Sequence, residues 1–122
     1  MSTTYQVQIV PTINPSVFYK VKNEALAIGY TETLTVEPAA KFYLQAVYVS
    51  ANGDCKAAIK TGPTATAEER RVFYLSKADA NQVWVLDTPL ATDTTDVVIV
   101  NLTNVNGTEL MVAATVQGFI LP

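Results

Sequence analysis

The chain has 122 residues, of which 49% are hydrophobic and 16% are charged, and its formal net charge is −3. This composition excludes disorder, and a domain of this length can bury a core without disulfides or metals. Soluble domains average about 25% charged residues, so some apolar surface is expected to face a partner. No block of Lys or Arg offers a phosphate-binding stripe, which excludes binding to nucleic acid through that route.

The first residues and the hydropathy pattern indicate where in the cell the chain is expected to be made. Met1–Gln6 has neither a basic nor an apolar segment, so no signal peptide is predicted. No apolar run approaches the length of a membrane span, and no membrane partner is predicted. The chain is therefore expected to be made in a cytosol.

Alternating apolar and polar residues predict short strands in the first third of the chain. Tyr5–Ile9, Val17–Val21 and Thr31–Val36 are the first three, and the threonines of the third are expected to face outward. Residues 23–29 are compatible with a helical turn or a strand. Residues 1–15 are predicted to form either a first strand with a linker or an arm that projects toward a neighbour.

The strongest local signal is a β-hairpin in the middle of the chain. Two β-rich runs, Phe42–Val49 and Cys55–Thr61, flank Asn52-Gly53. Asn-Gly favours tight hairpin turns because both residues tolerate positive φ. The sequence therefore predicts that these two strands pair with each other. Cys55 shares its alternation phase with Ile59, which favours a buried thiol over a reactive one.

Further strands follow, separated by turn-rich segments. A loop is predicted over residues 64–70. A turn at Asp87–Pro89 is expected to end the strand Val83–Leu86. Val97–Val100 is apolar throughout, as in a central strand that is buried on both faces. The later predicted strands are Val72–Leu75, Val83–Leu86, Val97–Val100 and Leu110–Phe119.

Eight or nine short strands with regular turn signals predict a single all-β domain over residues 1–122. The preferred form is a two-sheet antiparallel β-sandwich of jelly-roll type, and an immunoglobulin-like sandwich is the second choice.

The sequence offers little catalytic chemistry. It has no histidine, the usual general base near neutral pH, and no serine or glycine motif of a known catalytic type. Paired carboxylates hydrolyse glycosides, but every candidate lies in or beside a predicted loop, where acids are ordinarily solvated. The candidates are Glu68, Glu69, Asp79, Asp87, Asp93 and Asp96. We therefore predict that the protein is not an enzyme and has no cofactor.

Two pairs of residues with side-chain oxygens are candidates for calcium binding. They are Asp93 with Asp96, and Asn52 with Asp54. Calcium takes six or more oxygen ligands, and neither pair supplies enough of them. The sequence therefore predicts no metal site.

Aromatic residues suggest an alternative function in carbohydrate binding. Trp84, Tyr43 and Tyr74 are the candidates for a stacking platform. Aromatic residues are also normal in strands and cores, and Trp84 shares its alternation phase with Leu86, which favours packing over ligand binding.

The order of features in the last two-thirds of the chain resembles small structural proteins of tailed bacteriophage virions. The segments that carry the resemblance are Lys41–Leu44, Phe73-Tyr74, Val83–Val85, Asp87–Leu90, Val98–Asn104 and Val116–Phe119. The resemblance implies a head-decoration (cement) protein, a β-sandwich that trimerises on the capsid surface and has no active site.

From this resemblance we expect a non-enzymatic virion protein that forms a homotrimer and binds the phage major capsid protein. The residues expected at its interfaces are Tyr5, Val7, Ile9 and Phe18. The alternatives are a carbohydrate-binding or receptor-binding module and a tail or baseplate accessory protein with the same fold.

Overall fold

The computed structural model describes residues 16–37, 41–63, 65–92 and 95–120, with residues 16–22 described by their backbone. Within these ranges the chain forms eight strands and no helix. They are β1 (Ser16–Leu26), β2 (Thr31–Val36), β3 (Phe42–Ala51), β4 (Cys55–Pro63), β5 (Glu68–Leu75), β6 (Asn81–Thr92), β7 (Asp96–Asn104) and β8 (Leu110–Ile120).

The strands form two four-stranded antiparallel sheets. Sheet one has the order β1-β8-β3-β6, and sheet two has the order β2-β7-β4-β5. Successive strands alternate between the sheets, except that β4 and β5 are neighbours in sheet two. This order is that of a jelly roll, which confirms the predicted fold class.

The core lies between the inner faces of the two sheets. Alternate residues of each strand point inward, and many of them have no exposed surface. The fully enclosed apolar residues are Val36, Phe42, Leu44, Val47, Cys55, Ala57, Ile59, Val98, Val100 and Val116. Val97, Val98 and Val100 are buried in β7, an interior strand of sheet two, but Ile99 is only half-buried, so the burial on both faces predicted for Val97–Val100 holds only in part.

The predicted hairpin between β3 and β4 is wrong. The two strands begin where expected and each ends two residues later, but β3 lies in sheet one and β4 in sheet two, and they do not pair. Asn52 instead joins the connection to β8: its backbone N–H donates to the Met111 carbonyl (3.2 Å), and its Oδ1 accepts from the Met111 N–H (2.8 Å). Among the described glycines, positive φ occurs at Gly29 and Gly62, so Gly53 does not form the expected turn.

Two predicted strand ends are also displaced. β5 begins at Glu68, inside the segment predicted as a loop, and Arg70 donates from Nε to Thr61 Oγ1 (2.8 Å) beside a register shift. β6 does not end at Pro89 but continues to Thr92. Its pairing with β3 shifts register opposite Gln45 and resumes at Leu90. Pro89 lacks an N–H donor, and it is tolerated because β6 is an edge strand.

The ambiguous segment 23–29 belongs to β1 up to Leu26 and then turns at Gly29, whose φ is +77°. Asn104 holds this corner from the end of β7. Its buried side-chain amide donates to the carbonyls of Leu26 (2.9 Å) and Thr108 (3.0 Å), and its Oδ1 accepts from the Asn106 N–H (2.7 Å). One polar side chain therefore ties the β1–β2 turn to the β7–β8 turn.

Candidate interaction face

The residues predicted at interfaces lie at or beyond the start of the described chain. Tyr5, Val7 and Ile9 fall outside the described residues. Phe18 lies in β1, where its backbone pairs opposite Gly118 of β8. Their role at an interface stays a prediction.

The three aromatic residues of the carbohydrate-binding alternative do not form one platform. Trp84 pairs with the fully buried Val47 and packs against the core from β6. Tyr43 lies on the opposite face of sheet one, where its ring stacks on Phe119 with centroids 5.1 Å apart. Tyr74 is 70% exposed on sheet two. No single flat ligand reaches all three rings.

The acidic residues are spread over both sheets. Glu68 and Glu69 are exposed in β5, Asp79 is exposed in the β5–β6 turn, and Asp87 is exposed in β6. Asp93 falls outside the described residues. Within the described ranges, no three residues of the types His, Cys, Asp and Glu come together as a metal site would require.

Asn52 and Asp54, the second pair considered for calcium, have structural roles. Asn52 Oδ1 accepts the Met111 N–H, and the Asp54 carbonyl accepts the Val105 N–H (3.1 Å). These bonds fix two connections at the same end of the sandwich.

Cys55 is fully buried, as its alternation phase predicts. Burial raises the pKa of its thiol from 9.0 to about 11, and this outweighs the smaller lowering caused by a hydrogen bond with the Thr103 backbone. Because the thiolate is the nucleophile, Cys55 is unreactive near neutral pH. The described part of the chain also contains no helix with the length and hydropathy needed to cross a bilayer.

Four of the eight large apolar side chains that are exposed among the described residues lie on the outer face of sheet one. We define the neutral face as the outward side chains of β3, β6 and β8, which alternate with buried residues. Its most exposed apolar members are Tyr48 (44%), Val83 (44%), Val85 (62%) and Met111 (54%). Its other members are Tyr43, Ser50, Ala113, Thr115, Gln117 and Phe119.

The neutral face carries almost no charge. β3 and β8 contain no charged residue, and β6 contains only Asp87. Lys41 lies at one end of the face, with Nζ 6.0 Å from the centre of the Tyr43 ring. An exposed apolar surface without charges marks an interaction site more often than a solvated face.

A groove of about 240 Å³ runs across the neutral face between β3, β6 and β8. Tyr48, Val83 and Ala113 form its apolar walls, and Ser50 and Thr115 add hydroxyl groups. A second hollow beside it, of about 320 Å³, shares Ser50 and Ala113 and extends to Met111. The face is therefore not flat and has room for side chains of a partner.

Sequence reasoning did not identify this face. Two signals in the sequence pointed to it. Val83–Leu86 is apolar in both alternation phases, so one phase faces out whichever one enters the core. The second signal is the absence of charge over the whole of β3 and β8, because solvated strands normally carry charged residues on their outer face.

Searches against known proteins found structural similarities only. No family model and no curated protein sequence matches the chain. A de novo designed double-stranded β-helix, solved by NMR, is 13% identical with a TM-score of 0.43, covering 80% of this chain and 97% of the designed one.

Two of the similar structures come from viruses. One is from the Gx strain of infectious bursal disease virus (8% identity, TM-score 0.44), with 98% of this chain covered; this chain spans 38% of the length of that one. The other is the virus-like particle of the Macrobrachium rosenbergii extra small virus (14% identity, TM-score 0.35), with 97% and 92% covered. All three TM-scores lie below 0.5, whereas the strand order by itself defines the jelly roll.

Proposed function

We propose that this chain is a non-enzymatic structural protein of a virion, and that it is a capsid decoration protein. In this role it binds the outside of a phage head as an oligomer and stabilises the shell. Such binding requires shape complementarity and buried area rather than a reactive group.

The neutral face is the observation that carries this proposal. A protein that remains alone in solution gains solubility from charged outer faces, yet sheet one exposes Val83, Val85 and Met111 together. A role based on contact explains this surface. The described residues with catalytic potential, in contrast, are dispersed over both sheets or buried.

The resemblance of the sequence to phage virion proteins supports the same role. Low charge and a disulfide-free jelly roll suit a protein that assembles inside its host. We assign the contact with the major capsid protein to the first residues, with Tyr5, Val7, Ile9 and Phe18 as the contact residues, and we propose a homotrimer as the unit that binds.

The test is binding of the purified chain to empty capsids of the virus that encodes it, followed by sedimentation. We expect the chain to pellet with the capsids and to raise the temperature at which they open. The double variant Tyr5→Ala/Ile9→Ala should remain in the supernatant because each substitution removes an apolar contact.

The matched control is Tyr74→Ala, which removes an exposed aromatic residue from the outer face of sheet two. This variant should still pellet. A wild-type chain that never pellets would rule out the decoration role. A double variant that pellets like the wild type would place the contact elsewhere.

A further inference from the structure

The neutral face has the properties of a surface that a second copy of this chain covers. Two identical surfaces that meet must not repel each other, and any net charge on such a surface is met by the same charge on the partner. β3 and β8 contain no charged residue, so their outer faces satisfy this condition in every relative orientation.

The strands of sheet two carry charges of both signs, so whether like charges meet in a self-contact there depends on the relative orientation of the two copies. Lys56 and Lys60 project from β4 near the centre of this sheet, and a self-contact there would bring lysines of both copies together in some orientations. The charged residues on the strands of sheet two are Glu32, Lys56, Lys60, Glu68, Glu69, Arg70, Arg71 and Asp96.

One polar pair of the neutral face is satisfied within the face. The Tyr48 hydroxyl donates to Gln117 Oε1 (3.2 Å), which joins β3 to β8. A buried polar group is costly chiefly when it loses its partner, so this pair can be covered at little cost. The other polar residues that line the groove are Ser50, Asn81, Gln82 and Thr115.

The size of the face approaches what a stable pair needs. Three strands of about ten residues, about 4.8 Å apart with about 3.4 Å per residue, cover roughly 490 Å² in projection. The accessible area of such a corrugated surface is larger than its projection. A standard interface takes about 800 Å² from each partner.

We propose that two copies of this chain pair through their neutral faces, sheet one against sheet one. In this pair, Val85 and Met111, which lie toward opposite ends of the neutral face, contact the neutral face of the other copy on either side of the groove beside Tyr48, as side chains interdigitate when two sheets stack about 10 Å apart. The proposal goes beyond the decoration role, because a three-fold trimer contains no two-fold interface. If both hold, the complete assembly contains an even number of chains.

The test is the molar mass of the full-length protein in solution, measured by light scattering over a range of concentrations. We expect the wild type to have a mass that is an even multiple of 13.2 kDa. Val85→Asp should halve that mass, because each pair would bury two carboxylates without partners. Its dissociation constant should rise by about two orders of magnitude.

Val105→Asp is the matched control. Val105 is 58% exposed, close to the 62% of Val85, but it lies in the loop between β7 and β8. The same substitution there should leave the mass unchanged. Circular dichroism of both variants should match the wild type, since neither side chain belongs to the core.

Three results would overturn the proposal. A wild type that stays monomeric shows that no second copy covers the face, whether it is bare or covered by residues 1–15 of its own chain. A trimer whose mass Val85→Asp does not change places self-association on another surface. Equal losses of mass in Val85→Asp and Val105→Asp show that the effect is not specific to the face. Capsid binding is measured separately, so either proposal can fail while the other stands.

Discussion

The two sheets of this jelly roll have similar inner faces and different outer faces. Both contribute fully buried aliphatic residues to one core, such as Val47 from sheet one and Val100 from sheet two. The outer face of sheet two carries a polar ladder, in which Thr31 and Thr103 hydroxyls hydrogen-bond at 2.9 Å and Thr33 donates to Asn101 Oδ1 at 2.8 Å. Sheet one has apolar side chains in the equivalent position.

This difference separates folding from function. The inner faces need apolar residues to fold, whichever partner the protein has. The outer faces are not constrained in this way, so a departure from a solvated surface on one of them indicates a contact. Substitutions on the inner faces should therefore change stability, and substitutions on the neutral face should change association.

The largest expected effect is at Gly118, on the inner side of β8. A Cβ there would overlap the Phe42 ring and the Tyr43 carbonyl oxygen, and the backbone oxygen cannot rotate away. Gly118→Ala should lower the free energy of unfolding by about 3 kcal/mol, measured by urea titration. Gly107→Ala, with no atom within 4 Å of the added carbon, is the control and should change it by less than about 0.5 kcal/mol. Equal effects would contradict the close packing of β8 on β3.

The second effect is on the pH dependence of stability and concerns Cys55, on the inner face of sheet two. Its pKa is raised from 9.0 to about 11 in the folded chain, so the unfolded chain loses the proton first as the pH rises. The contribution of Cys55 to the free energy of unfolding is therefore fully present below pH 9. It falls by on the order of 2 kcal/mol as the pH approaches 11. The measurement is urea unfolding of the wild type and of Cys55→Ala at several pH values.

Other groups titrate in this range in both proteins, so the difference between the two curves isolates Cys55. We expect the free energy of unfolding of the wild type to fall steadily, relative to that of Cys55→Ala, between pH 9 and 11. This holds whichever of the two proteins is the more stable at pH 9. A constant difference would show that the thiol is not desolvated by the core.

The smallest expected effect is on the outer face of sheet two. Thr33→Val removes one exposed hydrogen bond to Asn101 and should lower the free energy of unfolding by about 0.5 kcal/mol. Its counterpart on the neutral face, Thr115→Val, should leave stability within a few tenths of that of the wild type. Light scattering should show no loss of association in either variant. A loss of association in Thr33→Val alone would place the contact between copies on sheet two instead of sheet one.

Local sequence signals predicted most strands, but they did not predict which sheet each strand joins. The Asn52-Gly53 pattern correctly marks a reversal between β3 and β4. Whether the next strand pairs beside the last one or crosses to the facing sheet depends on long-range contacts, here those of Asn52 with Met111. The end of β6 was missed for a similar reason, because pairing with β3 resumes after the register shift opposite Gln45.

The candidate site was less predictable than the fold. Aromatic residues suggest a binding surface, but alternation places Trp84 on the inner face and Tyr43 on the outer face of sheet one. Two properties define the neutral face: β3 and β8 contain no charged residue, and β6 lies beside β3 in the sheet. That adjacency is set by the strand order of the whole jelly roll.

The place of β8 in sheet one has a consequence for how the protein is made. β8 lies between β1 and β3, and Ser16 pairs with Ile120 across the sheet. During synthesis on a ribosome, β1 therefore cannot complete its pairing with β8 until Ile120 has been translated and has left the exit tunnel. Until then β1 and β3 both have bare edges open to other nascent chains, so the time needed to synthesise the chain from the end of β1 through β8 sets how long that hazard lasts.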